Sequence, residues 1–160
     1  MLASVVKKVN RVSEHILNLL LTIMVVVVFV QVIFRFILMM PLSWSEEVAR
    51  YIMIWTTFLG AALAVEKKAH PFVEVFTNTL PLTIRVPVHI LIICLSCVFY
   101  AILVFYGAMF VSSSMMQPSA AMQIPMGYVY IIIPFGGIML ILNSMVEIQA
   151  RWKERRGGVQ

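Results

Sequence analysis

Two short stretches, Gln31 to Arg35 and Ser43 to Arg50, hold the residues whose types and spacing suggest more than packing. Gln31 and Arg35 are four apart and share a face on a helix. Ser43 and Glu46 fit the S-x-x-E capping box that opens a helix. Glu46 and Glu47 then stand in its first turn, where the helix dipole favours anions. Glu46 also precedes Arg50 by four residues, the better orientation for an ion pair. The plainer reading is an ordinary cap plus a water-exposed pair, worth about 0–1 kcal/mol. The sharper reading joins Arg35 to Glu46 or Glu47, together with Arg50, in a partly buried cluster. Its chemistry is helix fastening, with proton transfer as the alternative. Inward along the same face come Met53, Thr57, Gly60, Ala61 and Ala64, a small and polar stripe that lets another helix approach closely.

Other reactive side chains lack the spacing that chemistry needs. His15, His70 and His89 lie near the ends of apolar segments, and no H-E-x-x-H or Cys/His zinc pattern occurs. Cys94 and Cys97 spell C-x-x-C, but within an apolar run, where small thiols pack as apolar residues. Gly136-Gly137 after Pro134 reads as a kink or a close helix contact. No catalytic, substrate-binding or metal-ligating residue is expected, and no cofactor.

These residues must be positioned inside a bilayer. Of 160 residues, 62% are hydrophobic and 12% charged, and the mean hydropathy is +0.99. Soluble domains run near 45–50% apolar and roughly 25% charged, so a chain this short and apolar cannot cover itself with polar surface. The composition also excludes disordered and collagen-like classes. Twelve Lys and Arg face seven acids. They flank apolar runs rather than interleave with aromatic residues on a polar face, which argues against nucleic acid.

A spanning helix needs about 20 mostly apolar residues. Four candidates occur, at about 16–36, 43–66, 87–110 and 128–148. The expected fold is therefore an all-α integral membrane protein with four transmembrane helices. Residues 16–150 form its membrane domain. The first apolar run is too long for a signal peptide's core and no A-x-A-like site follows it, so it reads as a retained span. Lys7, Lys8, Arg11, Lys67, Lys68, Arg85, Arg151, Lys153, Arg155 and Arg156 fall on one side of the membrane; Arg35 and Arg50 fall on the other. The Lys/Arg bias places both termini in the cytoplasm.

Two short amphipathic stretches read as interfacial helices. In residues 1–15, Val5, Val9, Val12 and Ile16 repeat at helical spacing, with Lys7, Lys8 and Arg11 on another face. Around 71–80, Phe72, Val73, Phe76 and Leu80 form a stripe that Pro81 closes. Residues 151–160 form a basic tail. The basic rim of Lys7, Lys8, Arg11, Lys67, Lys68, His70 and Arg85 is placed to meet phospholipid.

Several of these residues, taken in order, resemble a known family: the small membrane subunit of tripartite ATP-independent periplasmic (TRAP) transporters. Gln31-Val32-Ile33-Phe34-Arg35 resembles the end of that family's first span. Trp44-Ser45-Glu46-Glu47-Val48-Ala49-Arg50 is similar to its W-x-E-E-x-x-R signature, and Trp55 through Ala61 to its W-x-x-F-L-G-A run. His70 with Glu74 fits, although Asp is common at the second position, and Ile124-Pro125 with Tyr130 through Gly136 resembles the entry to the last span.

The resemblance implies a multi-pass protein of the bacterial inner membrane, not an enzyme. It implies a stable heterodimer with a large membrane subunit and transient contact with a periplasmic binding protein. The system takes up organic acids such as C4-dicarboxylates or sialic acids on a sodium gradient, with sodium and substrate held by the large, elevator-like subunit. Here the small subunit widens the fixed scaffold. Gln31, Arg35, Trp44, Glu46, Glu47, Arg50, Trp55, Thr57, Gly60 and Ala61 are its expected polar cluster and subunit interface. Two other readings remain open at this point. A stand-alone proton-coupled exporter needs a carboxylate in the first span, for which only Glu14 is near; a redox subunit needs facing histidines or an exposed thiol pair.

Overall fold

The computed structural model describes residues 2–67 and 82–157, with side chains described chiefly from 4 to 67 and from 91 to 148. Five helices occur there: α1 (Leu2–Phe36), α2 (Ser43–Glu66), α3 (Leu82–Ser114), α4 (Gly127–Tyr130) and α5 (Ile132–Gly157). Four stretches are long and apolar enough to span a membrane, Ser4–Phe36, Ser43–Glu66, Leu91–Ser114 and Gly127–Ile148, and no strand occurs among the described residues. Helices are what a bilayer permits, because they satisfy every backbone polar group internally. Lys68, His70 and the interfacial helix expected at 71–80 lie outside the described residues.

The last span is built from two pieces. Pro134 has no N–H to give to the preceding turn, so α4 closes at Tyr130 and α5 begins at Ile132. The Gly136-Gly137 pair beyond it makes close helix contacts. A Cβ on Gly136 would stand 3.0 Å from the Phe58 Cβ of α2, and one on Gly137 only 2.7 Å from the Val104 Cγ2 of α3. These two positions let α5 lie between α2 and α3.

α2 and α5 form the centre, with α1 packed on α2 and α3 packed on α4 and α5. Leu59, Ala62 and Val65 of α2 meet Ile132, Met139 and Leu140 of α5 in the buried core, with Leu17, Leu20, Tyr100 and Leu103 against it. Lipid takes the opposite face: α1 exposes Leu19, Val25, Val26 and Phe29, and α3 exposes Leu91, Leu95, Phe99 and Phe105.

α1 is one unbroken helix of 35 residues, about 52 Å long at 1.5 Å per residue, more than the roughly 30 Å hydrocarbon core requires. Its first turns run polar side inward. Val6, Asn10 and Ser13 are buried, whereas Val5, Val9, Val12 and Ile16 are exposed. The Asn10 amide donates to Asn143 Oδ1 at 2.8 Å. Asn143 Nδ2 in turn lies 2.7 Å from the Ala62 carbonyl and 3.3 Å from Asn10 Oδ1. One amide pair thus joins α1, α2 and α5. Beside it Lys67 donates to Glu14 at 2.6 Å, linking α1 to the end of α2. That hydrogen bond and the Glu14 charge hold the Lys67 ammonium above its ordinary pKa.

Asn143→Ala leaves the Ala62 carbonyl and the Asn10 amide without their partner, so it is expected to destabilise the fold by about 0.5–2 kcal/mol. Asn10→Ala, which keeps the Ala62 contact, should cost less. Denaturant unfolding in detergent micelles checks the order; equal midpoints for both variants and the wild type would refute the knot's role.

Candidate functional site

The rim where α1 ends and α2 begins gathers most of the residues singled out from the sequence. Past Phe36 the chain tightens. The Leu38 and Met40 amides reach back to the Ile33 and Phe34 carbonyls, at 3.3 and 3.0 Å, and Met39 adopts a left-handed φ of 54°. The turn returns the chain to α2 only six residues after α1. Gln31, Arg35, Trp44, Glu46, Glu47 and Arg50 then line one open cleft of about 740 Å³, together with Pro41, Leu42, Ser43, Ala120 and Ala121.

The capping box does not form. α2 starts at Ser43 itself, with Leu42 as its N-cap and no side-chain cap. The Ser45 hydroxyl, fully buried, donates back to the Leu42 carbonyl at 2.7 Å instead. A hydroxyl two residues later closes the turn because Ser43 is already helical.

Glu46 and Glu47 are adjacent but do different things. Glu46 accepts from Arg50 at 3.2 Å, and both side chains are more than 60% exposed, so the pair contributes about half a kcal/mol at most. Glu47 turns the other way. Its Oε1 accepts the Ala120 amide at 3.1 Å, and its Oε2 accepts those of Ala121 and Met122 at 3.0 and 2.8 Å. The Tyr51 hydroxyl donates to the same carboxylate. Successive backbone N–H groups form a concavity that suits an anion, and the connection from Val111 to Gly127 carries no charged side chain that could serve instead.

The expected ion pair of Arg35 with Glu46 or Glu47 is therefore not made: Arg50 takes one carboxylate and backbone amides take the other. Arg35 lies 5.9 Å from the Phe36 ring centre and forms no ion pair among the described residues. Its charge still suits the negative end of the α1 helix dipole.

Trp55 extends the fastening. Its indole N–H donates to the Val129 carbonyl at 3.0 Å, so Glu47, Tyr51 and Trp55, four apart, line one edge of α2 and hold the incoming α4. The connection itself is folded by Ser119, whose amide donates to the Ile124 carbonyl at 2.8 Å, and by the Met126 amide bound to Gln117 at 2.9 Å. Thr57 donates to the Met53 carbonyl at 2.7 Å, and Gly60 and Ala61 leave open space beside it. Lys7, Lys8 and Arg11 are exposed at the opposite end, where Lys67 is engaged by Glu14; Arg85 falls in the first turns of α3. Cys94 and Cys97 are free thiols, and no metal-holding cluster occurs among the described residues.

Sequence reasoning missed Tyr51, Asn10, Asn143 and the amides of 120–122. The i, i+4, i+8 spacing of Glu47, Tyr51 and Trp55 was the signal available. Nothing in the sequence marked the amides or the asparagine pair.

Residues 24–154 match the family model described as "Tripartite ATP-independent periplasmic transporters, DctQ component". The chain belongs to this family. Among similar proteins, a putative TRAP transporter small permease protein of Haemophilus influenzae is 36% identical over 81 residues, 51% of this chain and 50% of that protein. The sialic acid TRAP transporter permease protein SiaT of the same species is 32% identical over 79 residues, 49% of this chain and 13% of that protein. The small permease protein SiaQ of Vibrio cholerae is 26% identical over 148 residues, 89% of this chain and 82% of that one. The matches thus span half of the first relative's length and a small part of the second's. This DctQ-type small subunit is a multi-pass protein of the inner membrane and not an enzyme. Its family membership sets aside the exporter and redox readings.

Removing the Glu47 carboxylate should free the connection. In Glu47→Ala, amide hydrogen exchange across residues 117–126 is expected to accelerate about tenfold or more, while Glu46→Ala leaves it near the wild-type rate. Unchanged exchange in Glu47→Ala would show that the amide contacts do not hold this segment.

Proposed function

We propose that the chain is the non-catalytic small subunit of a secondary, sodium-driven uptake system for an organic acid. In this reading it scaffolds a large transport subunit in a stable heterodimer and helps seat a periplasmic binding protein. Sodium and substrate belong to the large subunit. Two of the relatives are named for sialic acid, which makes that acid the first substrate to test.

The observation that carries the reading is the contrast between the outward faces of the helices. α1 and α3 present bulky aliphatic and aromatic side chains, which suit acyl chains. α2 presents Glu46, Arg50, Met53, Thr57 and Ala61, and a Cβ on Gly60 would have nothing within 4 Å. Helices associate in lipid through small residues that let backbones approach, so this face of α2 is suited to a partner helix. The SiaT match supports a partner of larger size, since the matching segment is 13% of that permease protein.

An elevator needs one part held still while another slides. Long apolar flanks and Trp44 at a rim supply drag, and the Glu47 fastening keeps the rim rigid. Residues 16–150 serve as the scaffold and 151–160 as a basic tail, whereas the expected surface arm of residues 1–15 is instead the start of α1, tied into the bundle by Asn10 and Asn143. Lys7, Lys8 and Arg11 draw anionic lipid to the cytoplasmic side.

Mild-detergent purification of the tagged chain from native membranes tests the assembly. A larger multi-span protein is expected in equal amount, and a chain that purifies alone in several detergents would sink the reading. Gly60→Leu improves intrinsic helix propensity, and a Cβ at this position has open space around it. It should keep wild-type helicity and thermal stability yet lower partner recovery about tenfold, the effect of some 1.4 kcal/mol. Full recovery with Gly60→Leu would move the interface to another helix.

A further inference from the structure

The cleft at the α1–α2 rim has donors that its own fold leaves unused. Among the described residues, the Gln31 amide, the Arg35 guanidinium and the Trp44 indole N–H have no hydrogen-bond partner in the protein, and Arg50 is already engaged by Glu46. The Glu47 carboxylate is occupied by three backbone amides and Tyr51. Among the described residues Arg35 is thus the cation of this cleft, about 740 Å³ in volume, that has no ion-pair partner, and the volume is in the range of small-ligand sites.

The surroundings of the cleft say what kind of anion fits. Phe36, Ile37, Leu38, Met39 and Met40 are each at least half exposed, a continuous apolar run beside the opening. Trp44, 47% exposed, lines the same cleft, and tryptophan prefers the headgroup level of a bilayer. A free anion gains nothing from that apolar lip. An amphiphile does, because its chains cover the run while its head enters the cleft. Depth also matches. Gln31 sits one helical turn nearer the membrane centre than Arg35, about 5–6 Å along α1, as a glycerol ester lies deeper than the phosphate of the same lipid. A half-buried amide near hydrocarbon is costly without an acceptor, and an ester carbonyl supplies one.

We propose that this cleft seats a phospholipid, with the Arg35 fork on the phosphate, the Gln31 amide on an ester carbonyl and the Phe36–Met40 run against the acyl chains. Guanidinium binds phosphate through paired, charge-assisted hydrogen bonds. The seat lies on the side opposite the basic rim and is lined by residues of this chain, from α1, α2, the turn between them and the α3–α4 connection, so it does not rest on the proposed partner.

The test is native mass spectrometry of the full chain, extracted with whatever polypeptides accompany it, after its lipids are exchanged. The probes are phosphatidylethanolamine, phosphatidylglycerol, diacylglycerol of the same chains, and glycerol phosphate. Both phospholipids are expected to be retained, and the two phosphate-free or chain-free probes are not. Arg35→Ala should lower retention about tenfold, Arg35→Lys less, and Gln31→Ala by a smaller factor, all with wild-type helicity. A photo-crosslinker at position 44 should label lipid. Equal retention by Arg35→Ala or equal binding of diacylglycerol overturns the proposal. So does competition by glycerol phosphate, which would make the cleft a site for free anions. Crosslinking at position 44 to a protein instead of lipid would overturn it as well, by giving the cleft a polypeptide occupant.

Discussion

The Glu47 carboxylate is the constraint on which the rim depends. Non-helical backbone at or near a bilayer must have its polar groups satisfied by protein, and the connection between α3 and α4 turns three amides toward one point. A single ionised side chain meets all three. Because Glu47, Tyr51 and Trp55 share an edge of α2, that helix fixes both the connection and the entry of the last span. The neighbouring Glu46–Arg50 pair has the same ionic character but stands in the open, where screening and side-chain entropy remove most of its worth. Hydrogen-bond partners, rather than charge, separate the two glutamates.

The opposite end is held by a different device. Asn10 and Asn143 exchange hydrogen bonds inside the bundle, and Asn143 also reaches the Ala62 carbonyl. In water such a pair would compete with solvent. Within packed helices it has few alternatives, so it sets the register of α1 against α2 and α5. Polar groups face inward here and bulky apolar ones face outward, the reverse of a soluble bundle. Hence the apolar stripe of Val5, Val9, Val12 and Ile16 is exposed while Asn10 and Ser13 are buried. With both ends pinned, α2 is left with a small-residue face toward the outside. That combination of a rigid frame and one unoccupied close-approach surface is what the scaffold reading builds on.

Charge, length and hydropathy in the sequence determined a great deal. Runs of about 20 apolar residues require helices in lipid, so four spans followed from composition. The Gly-Gly contact beyond Pro134 was legible for the same local reason, the absence of side chains. Glu46 with Arg50 was legible because the pair is one helical turn apart. Tertiary structure decided the rest. The sequence could not say that Glu47 would bind amides more than 70 residues away, because backbone groups carry no sequence signature. Nor could it tell that Asn10 would find Asn143. Arg35 remained unpaired, although Glu46 and Glu47 line the same cleft, because Arg50 and the folded α3–α4 connection took both carboxylates. Local chemistry is written residue by residue, whereas long-range partners are chosen only when helices pack and every buried polar group must find the partner that geometry allows.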